Sequence, residues 1–254
     1  MSDFTSTRDF IDVNNAQVNI FNVSLSFDCL HEKTRMPIGT ARCKVLKFNV
    51  VTDEVLEGAS FIYHAITEID GNGTDTVVGR FTVIDAVKTN GIYRVEALDE
   101  LCEANILYTS ALNFSTADID VILAEICTNC GLTLDSTTSL VNGAYVIGEN
   151  PFTSGENSKE VIAYIAGING CFAYMRYDDD YGNLLTFKTP DITADAVCEA
   201  RPDKYTELQT HKQTLAIDTV VIRDKLSGES TTAGDELLGK LVIDDNPIAV
   251  DSTA

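Results

Sequence analysis

No stretch of this 254-residue sequence approaches the ~20 consecutive apolar residues that a membrane-spanning helix requires. A helical membrane span is therefore not expected. The opening run MSDFTSTRDFIDVNN has neither a basic end nor an apolar core, so no secretory signal is expected and the chain is read as made and folded in a cytoplasm. Positive charge is scarce: 18 Lys and Arg stand against 39 Asp and Glu, for a net charge of -21. Phosphate backbones are held by clustered Lys and Arg, so sequence-specific nucleic-acid binding is not expected. An acidic balance this strong is either a solvated surface that disfavours self-association or the lining of a passage through which DNA slides without sticking. Composition does not separate the two.

Histidine is equally scarce, with only His31, His64 and His211. The seven cysteines, Cys29, Cys43, Cys102, Cys127, Cys130, Cys171 and Cys198, are odd in number and spread along the chain, a pattern that reads as free thiols packed as small apolar groups. Cys127-x-x-Cys130 is the one spacing that fits metal or redox chemistry. It has neither a second such pair nor a nearby histidine, and core packing is the reading preferred. Catalytic signatures are missing as well. There is no Gly-x-Ser-x-Gly, no His-Glu-x-x-His and no phosphate loop, since Gly239-Lys240 lacks both the upstream glycine and the following Ser or Thr. Carboxylate pairs suited to a glycosidase occur by chance among so many acids. No catalytic, cofactor-binding or metal-binding residue is assigned, no cofactor is expected, and the chain is read as not an enzyme.

What is present is ordinary globular composition, 44% apolar and 22% charged, enough for two or three cores of ~100 residues each. To about residue 105 the sequence alternates as strands do. Phe21, Val23, Leu25 and Phe27 are expected on one face, with Asn22, Ser24 and Ser26 on the other. Leu46, Phe48 and Val50 repeat the period, as do Ala59 to Thr67, Arg80 to Lys88 and Ile92 to Leu98. Turn signals lie between them at Gly71-Asn72-Gly73 and Asn90-Gly91, and the latter predicts a tight hairpin. Short strands joined by turns favour an antiparallel barrel or sandwich.

The middle of the chain switches to helical period. Ile119, Ile122, Leu123, Ile126, Cys127 and Cys130 form one stripe, with Ser115 or Thr116 as the expected cap and Gly131 as the stop. A second such unit follows: Asn157 caps with Glu160 at its third position, Val161, Ile162, Ile165 and Ile168 form the stripe, and Gly170 closes it before the strand Cys171 to Arg176. Aligning the two units pairs Cys127 with Ala166 and Cys130 with Asn169, so the second makes the same helix without thiols. The segment does not need a metal to fold. The run Tyr177-Asp178-Asp179-Asp180-Tyr181-Gly182-Asn183 offers oxygen ligands of the kind calcium takes, but it lies between two strand runs and has the residues of a hairpin turn. The turn is preferred, with a cation loop as the alternative.

The order of several short segments resembles the tail hub, or baseplate hub, proteins of bacteriophages and related contractile injection systems, of the type found in phages of Gram-positive hosts. These segments are Met36-Pro37-Ile38-Gly39, Gly58-Ala59, Gly79-Arg80-Phe81-Thr82-Val83, Tyr93 to Glu100, Ala166 to Ala173 and Ile243-Asp244-Asp245-Asn246-Pro247. The resemblance spans residues 15 to 250. It implies an α+β chain: an antiparallel β-barrel tube-like domain over 1–105, an α+β insert with two short helices over 106–200, and the start of a second β-barrel over 201–254. The family continues past its Asp-Asn-Pro segment to complete that second barrel, whereas this sequence stops at Ala254. Also implied is a homotrimeric ring whose paired barrels match a sixfold tube. Such a ring sits in the virion tail, contacts a distal tail or tail tube protein, a tail tip spike or fibre and the tape measure protein, and lines a channel for the genome. The alternative is the anchoring part of a tail-associated cell-wall hydrolase, which needs a catalytic domain not visible in these residues. A secreted barrel adhesin is disfavoured by the missing signal.

Overall fold

The computed structural model describes residues 9–14, 16–28, 38–53, 56–69, 72–190, 219–223, 230–234, 240–243 and 246–248. Strands β1 (Phe10–Val13), β2 (Ala16–Ser26), β3 (Val45–Val50), β4 (Ser60–Ile69), β5 (Asn72–Thr89) and β6 (Ile92–Asp99) close into an antiparallel barrel in the order β1-β2-β3-β6-β5-β4. The short β1, which the alternation of the sequence did not single out, makes the closure: Phe10 pairs with Asn19 on one side and with His64 on the other. A closed barrel leaves no strand edge unpaired. The interior is filled by alternate residues of each strand, including Ile11, Leu46, Phe48, Phe61, Phe81, Val83 and Val95. Phe48 meets Phe61 edge to face at 5.5 Å, a favoured aromatic geometry.

Asn90-Gly91 forms the two-residue turn between β5 and β6, with φ of 53° and 82° and Thr89 paired with Ile92. Positive φ at both positions makes the strands twist together, and Asn-Gly tolerates it best. In the β4–β5 turn signal Asn72 and Gly73 are strand residues, paired with Ile69 and Glu68. Gly71 itself is outside the described residues.

Strand β2 departs from its expected pattern. Its register against β3 shifts between Phe21 and Ser24, and Asn22 takes φ 54°. This bulge puts two residues opposite one and reverses the alternation. Ile20 is buried while Phe21, opposite Asn49, is turned outward and 40% exposed. The single face of Phe21, Val23, Leu25 and Phe27 is therefore not formed.

Helices α1 (Ile119–Cys130) and α2 (Ser158–Ile168) pack with the hairpin β7 (Phe172–Asp178) and β8 (Gly182–Lys188) around a second core. Ile122, Leu123 and Ile126 of α1 meet Val161, Ile162 and Ile165 of α2 in that core, all essentially inaccessible to solvent. The cap of α1 is Asp118, whose carboxylate accepts from Val121 N–H at 2.9 Å. Ser115 and Thr116 do not cap it; both bond Asn113 in the preceding turn. Asp takes the position because its carboxylate also complements the helix dipole. Helix α2 carries the full reciprocal capping box of Asn157 and Glu160. Beyond it, β9 (Thr219–Arg223), β10 (Ser230–Gly234) and β11 (Lys240–Ile243) form a further sheet in the order β10-β9-β11, with β11 parallel to β9. Among the described residues no helix is long and apolar enough to cross a membrane.

Candidate functional site

Several of the short segments singled out in the sequence meet where the barrel abuts the helices. Gly39, at φ 74°, donates its N–H to Cys171 C=O at 2.9 Å. From there residues 39 to 42 run beside the start of β7: Ala173 N–H donates to Thr40 C=O at 2.8 Å, and Arg42 N–H to Ala173 C=O at 3.4 Å. A side chain at Gly39 would lie 3.4 Å from the Cα of Gly167. Two glycines thus let a loop from the barrel rest directly on the backbone of α2.

The same point is closed from the far end of the chain. Asn246, nearly inaccessible, donates from Nδ2 to Tyr164 C=O at 2.7 Å and accepts from Ile248 N–H at 3.0 Å through Oδ1. A Cβ at Gly167 would come within 3.0 Å of the Asn246 amide. Ile248 then enters the helical core. Met36, Pro37, Asp244 and Asp245 of the motif segments lie outside the described residues.

A second tie joins β5 to β8. Asn183 accepts from Arg80 N–H at 3.0 Å and donates to Arg80 C=O at 2.9 Å. Gly79 beside it has φ 155°, sits at the register shift of β4 against β5, and a Cβ there would lie 3.3 Å from Asn183 Oδ1. The Gly-x-Phe segment is thereby explained: the glycine admits the amide, and Phe81 fills the barrel.

At the end of β6, Asp99, only 1% exposed, accepts from Lys44 N–H at 3.0 Å and Leu101 N–H at 3.3 Å. Burial raises its pKa to about 6, with the backbone donors of Lys44 and the Lys44 charge acting in the opposite sense. Burial, reinforced by the Asp99 carboxylate, pushes the Cys43 thiol up to about 12, and burial with Glu103 pushes Cys102 up to about 11. Neutral thiols are poor nucleophiles. Beside this junction lies a cleft of about 380 Å³ whose wall includes Thr40, Arg42, Lys159 and Tyr164.

Cys127 and Cys130 both sit on the buried face of α1, and burial is the largest cause of their raised pKa, to about 11 for Cys127. Among the described residues no three His, Cys, Asp or Glu side chains gather as metal ligands. His64 belongs to the barrel, stacked on Phe10 at 4.3 Å with Asp75 and Asp12 at its ring nitrogens. His31, His211, Cys29 and Cys198 lie outside the described residues.

The Asp178-Asp179-Asp180 run closes the β7–β8 hairpin. Asp178 is paired with Gly182 and holds Arg176 at 3.2 Å. Arg176 also reaches Asp135 at 3.0 Å. Asp135, bonded first by the backbone and hydroxyl of Thr137 and then by Arg176 and Thr186, has its pKa lowered to about 2. Nothing in the sequence marked Asp135, Asn183 or Asn246 as a centre of polar contacts, although Asn183 follows the turn glycine and Asn246 precedes a proline. What these groups do chemically is hold backbones together; none presents an activated nucleophile or a general acid-base pair.

No family model matches the sequence, and no curated protein matches it. The fold is similar to that of the tail protein from Neisseria meningitidis MC58, with a TM-score of 0.57 at 13% identity, covering 96% of this chain and 74% of that one. It is also similar to the 43 kDa tail protein of prophage MuSo2 from Shewanella oneidensis, with a TM-score of 0.56 at 12% identity over 94% of this chain and 73% of that one. A chain of the Francisella PdpA–VgrG complex gives a TM-score of 0.51 at 11% identity, covering 94% of this chain and 44% of that one. At such identities these likenesses show the fold.

Proposed function

We propose that this protein is a structural component of a bacteriophage tail or a phage-like injection apparatus, a hub at the distal end of the tail tube that joins the tube to the tip. What carries this reading is the likeness of nearly the whole chain, 96% and 94% of it, to two proteins described as tail proteins. The junction supports it in physical terms. A part that transmits load between a tube and a tip needs its barrel and its insert to move together, and here they are tied by backbone pairing at Thr40 and Ala173 and by the Asn183 amide.

On this reading residues 1–105 are the tube-like barrel, 106–200 the insert, and 201–254 the start of a second barrel. Three copies form a ring, and the acidic balance of -21 keeps a passing genome from adhering. The neighbours are a distal tail or tube protein on one side, a tip spike or fibre on the other, and the tape measure protein within. The protein acts in the virion tail after assembly in a host cytoplasm, and its role is mechanical rather than catalytic.

Electron microscopy of the purified full chain tests this directly. A threefold ring with a central hole is the expected particle. A compact monomer at every concentration tried would overturn the hub.

A further inference from the structure

We propose that the face formed by the first turn of α1 and the segment 141–146 docks a basic, apolar-studded segment of another protein. Four apolar side chains stand out from this face: Val121 is 43% exposed, Val141 89%, Tyr145 41% and Val146 40%. Exposed apolar groups scattered singly need no explanation, but contiguous ones mark contact surfaces.

Hydrogen bonds set the first turn of α1 against residues 143–146. Ile119 N–H donates to Tyr145 C=O at 3.1 Å and Asp120 N–H to Gly143 C=O at 3.0 Å, while Asp118 and Val146 form an antiparallel bridge. The other end of the segment is fastened to α2. Asn142 N–H donates to Asn169 Oδ1 at 2.7 Å, and Asn142 Nδ2 to Ile168 C=O at 2.6 Å. Gly143 is buried between these ties, and any side chain there would collide with the Asp120 carboxylate. The segment is thus a fixed ledge, and binding to it costs little ordering entropy.

Charge selects the occupant. Asp118 and Asp120 stand at the ledge, against Val146 and Gly143, and the sequence has no Lys or Arg between Arg94 and Lys159. Lys159 stands at the start of α2, whereas the ledge is fastened to its other end at Asn169, roughly 15 Å away by helix rise. Arg176 is engaged by Asp135 and Asp178. The face therefore presents apolar groups beside carboxylates, with no Lys or Arg on its own segments. Nucleic acid or an anionic lipid surface would bring like charge against it. A polypeptide segment alternating Lys or Arg with Leu, Val or Ile meets both demands. This holds whether or not the chain assembles in a tail.

The probe is a labelled synthetic peptide of about 15 residues alternating Lys with Leu and Val, titrated against the full chain by fluorescence anisotropy. Two controls are the same peptide with Glu for Lys and with Ser for Leu and Val. Binding of the Lys-Leu-Val peptide alone is expected, weakened ~tenfold between about 0.05 and 0.3 M NaCl. The V121S/Y145S/V146S variant should lose at least ~tenfold in affinity, while V87S on the barrel surface should not change it. Equal binding by the triple variant, or equal binding of the Ser-substituted basic peptide, overturns the proposal. Should the triple variant misfold by circular dichroism, a photoreactive residue placed at position 141 decides. Capture of the basic apolar peptide upholds the docking face, and failure to capture it overturns it. Self-capture of two copies through position 141 also overturns it.

Discussion

Asn183 mimics a strand partner for Arg80: its side-chain amide accepts from the Arg80 N–H and donates to the Arg80 C=O, as the backbone of a neighbouring strand would. One side chain of the β7–β8 hairpin thus completes the pairing of a barrel strand. Replacing Asn183 by Ala leaves a donor and an acceptor of β5 unmatched, and the expected loss is ~2–3 kcal/mol. Asn183→Asp keeps the acceptor but sets a buried carboxylate oxygen against the Arg80 C=O, and should lose at least as much. Urea denaturation checks this through a lower midpoint at unchanged slope; an unaltered midpoint for Asn183→Ala would remove the tie from the account of the junction.

Gly167 offers a test in which two effects have opposite sign. It lies inside α2, where Gly→Ala ordinarily stabilises by about 1 kcal/mol. Its Cβ would stand 3.0 Å from the Asn246 amide, which is itself fixed on Tyr164 C=O. Crowding is expected to win, with a net loss of ~1–3 kcal/mol. Adding Asn246→Ala should make Gly167→Ala less harmful, a coupling that a double-mutant cycle measures. Strict additivity would mean that the two residues do not meet.

Two buried carboxylates, Asp99 and Asp135, should act on stability in opposite pH windows. Asp99 has a folded pKa of about 6, above the ordinary ~3.9, so the folded state binds its proton more tightly. Its contribution is full below about pH 4 and is lost as pH rises through about 6. Asp135 is held at about 2, so its contribution is present above about pH 4 and is lost as pH falls toward about 2. Asp99→Asn should flatten the first limb of a stability-against-pH curve and Asp135→Asn the second. Thermal melts across that range measure both, and an unchanged limb in either variant would contradict its assignment.

The Cys127-x-x-Cys130 pair should behave as core. With burial raising both thiols, replacement by Ala and Ser is expected to cost only packing, ~1–3 kcal/mol. In the native protein Cys127 and Cys130 should react slowly with thiol reagents near neutral pH and quickly once unfolded. A stoichiometric zinc signal in purified protein would show the packing view to be wrong.

Assembly should respond to salt in the sense that charge dictates. Subunits of charge -21 repel across a ring, over a Debye length of ~10 Å at 0.1 M salt. Added salt screens this and leaves apolar contacts intact or stronger, so the trimer proposed above should be favoured by moderate salt. Sedimentation between roughly 0.02 and 0.5 M NaCl is the check, with trimers that dissociate as salt rises as the contrary result.

Much of the architecture is decided by interactions that span few residues, and those are written in the sequence. Asn90-Gly91 forms its hairpin because only two residues need positive φ. Asn157 and Glu160 cap α2 because the donors they satisfy are three residues apart. Alternation over Leu46, Phe48 and Val50 places those side chains in the barrel because a pleat has a period of two.

Where a distant residue enters, the sequence alone does not suffice. The bulge at Asn22 turned Phe21 outward because pairing with β3, not the local period, sets which residues oppose one another. Asp118 rather than Ser115 or Thr116 caps α1, since the chain before it is held in a turn by Asn113 and bridged to Val146. The order of the motif segments was legible, but their meeting was not: Arg80 and Asn183 are separated by 103 positions and Tyr164 and Asn246 by 82. Loop closure over such spans costs entropy without naming a partner, so only the packed tertiary structure decides which glycine faces which amide.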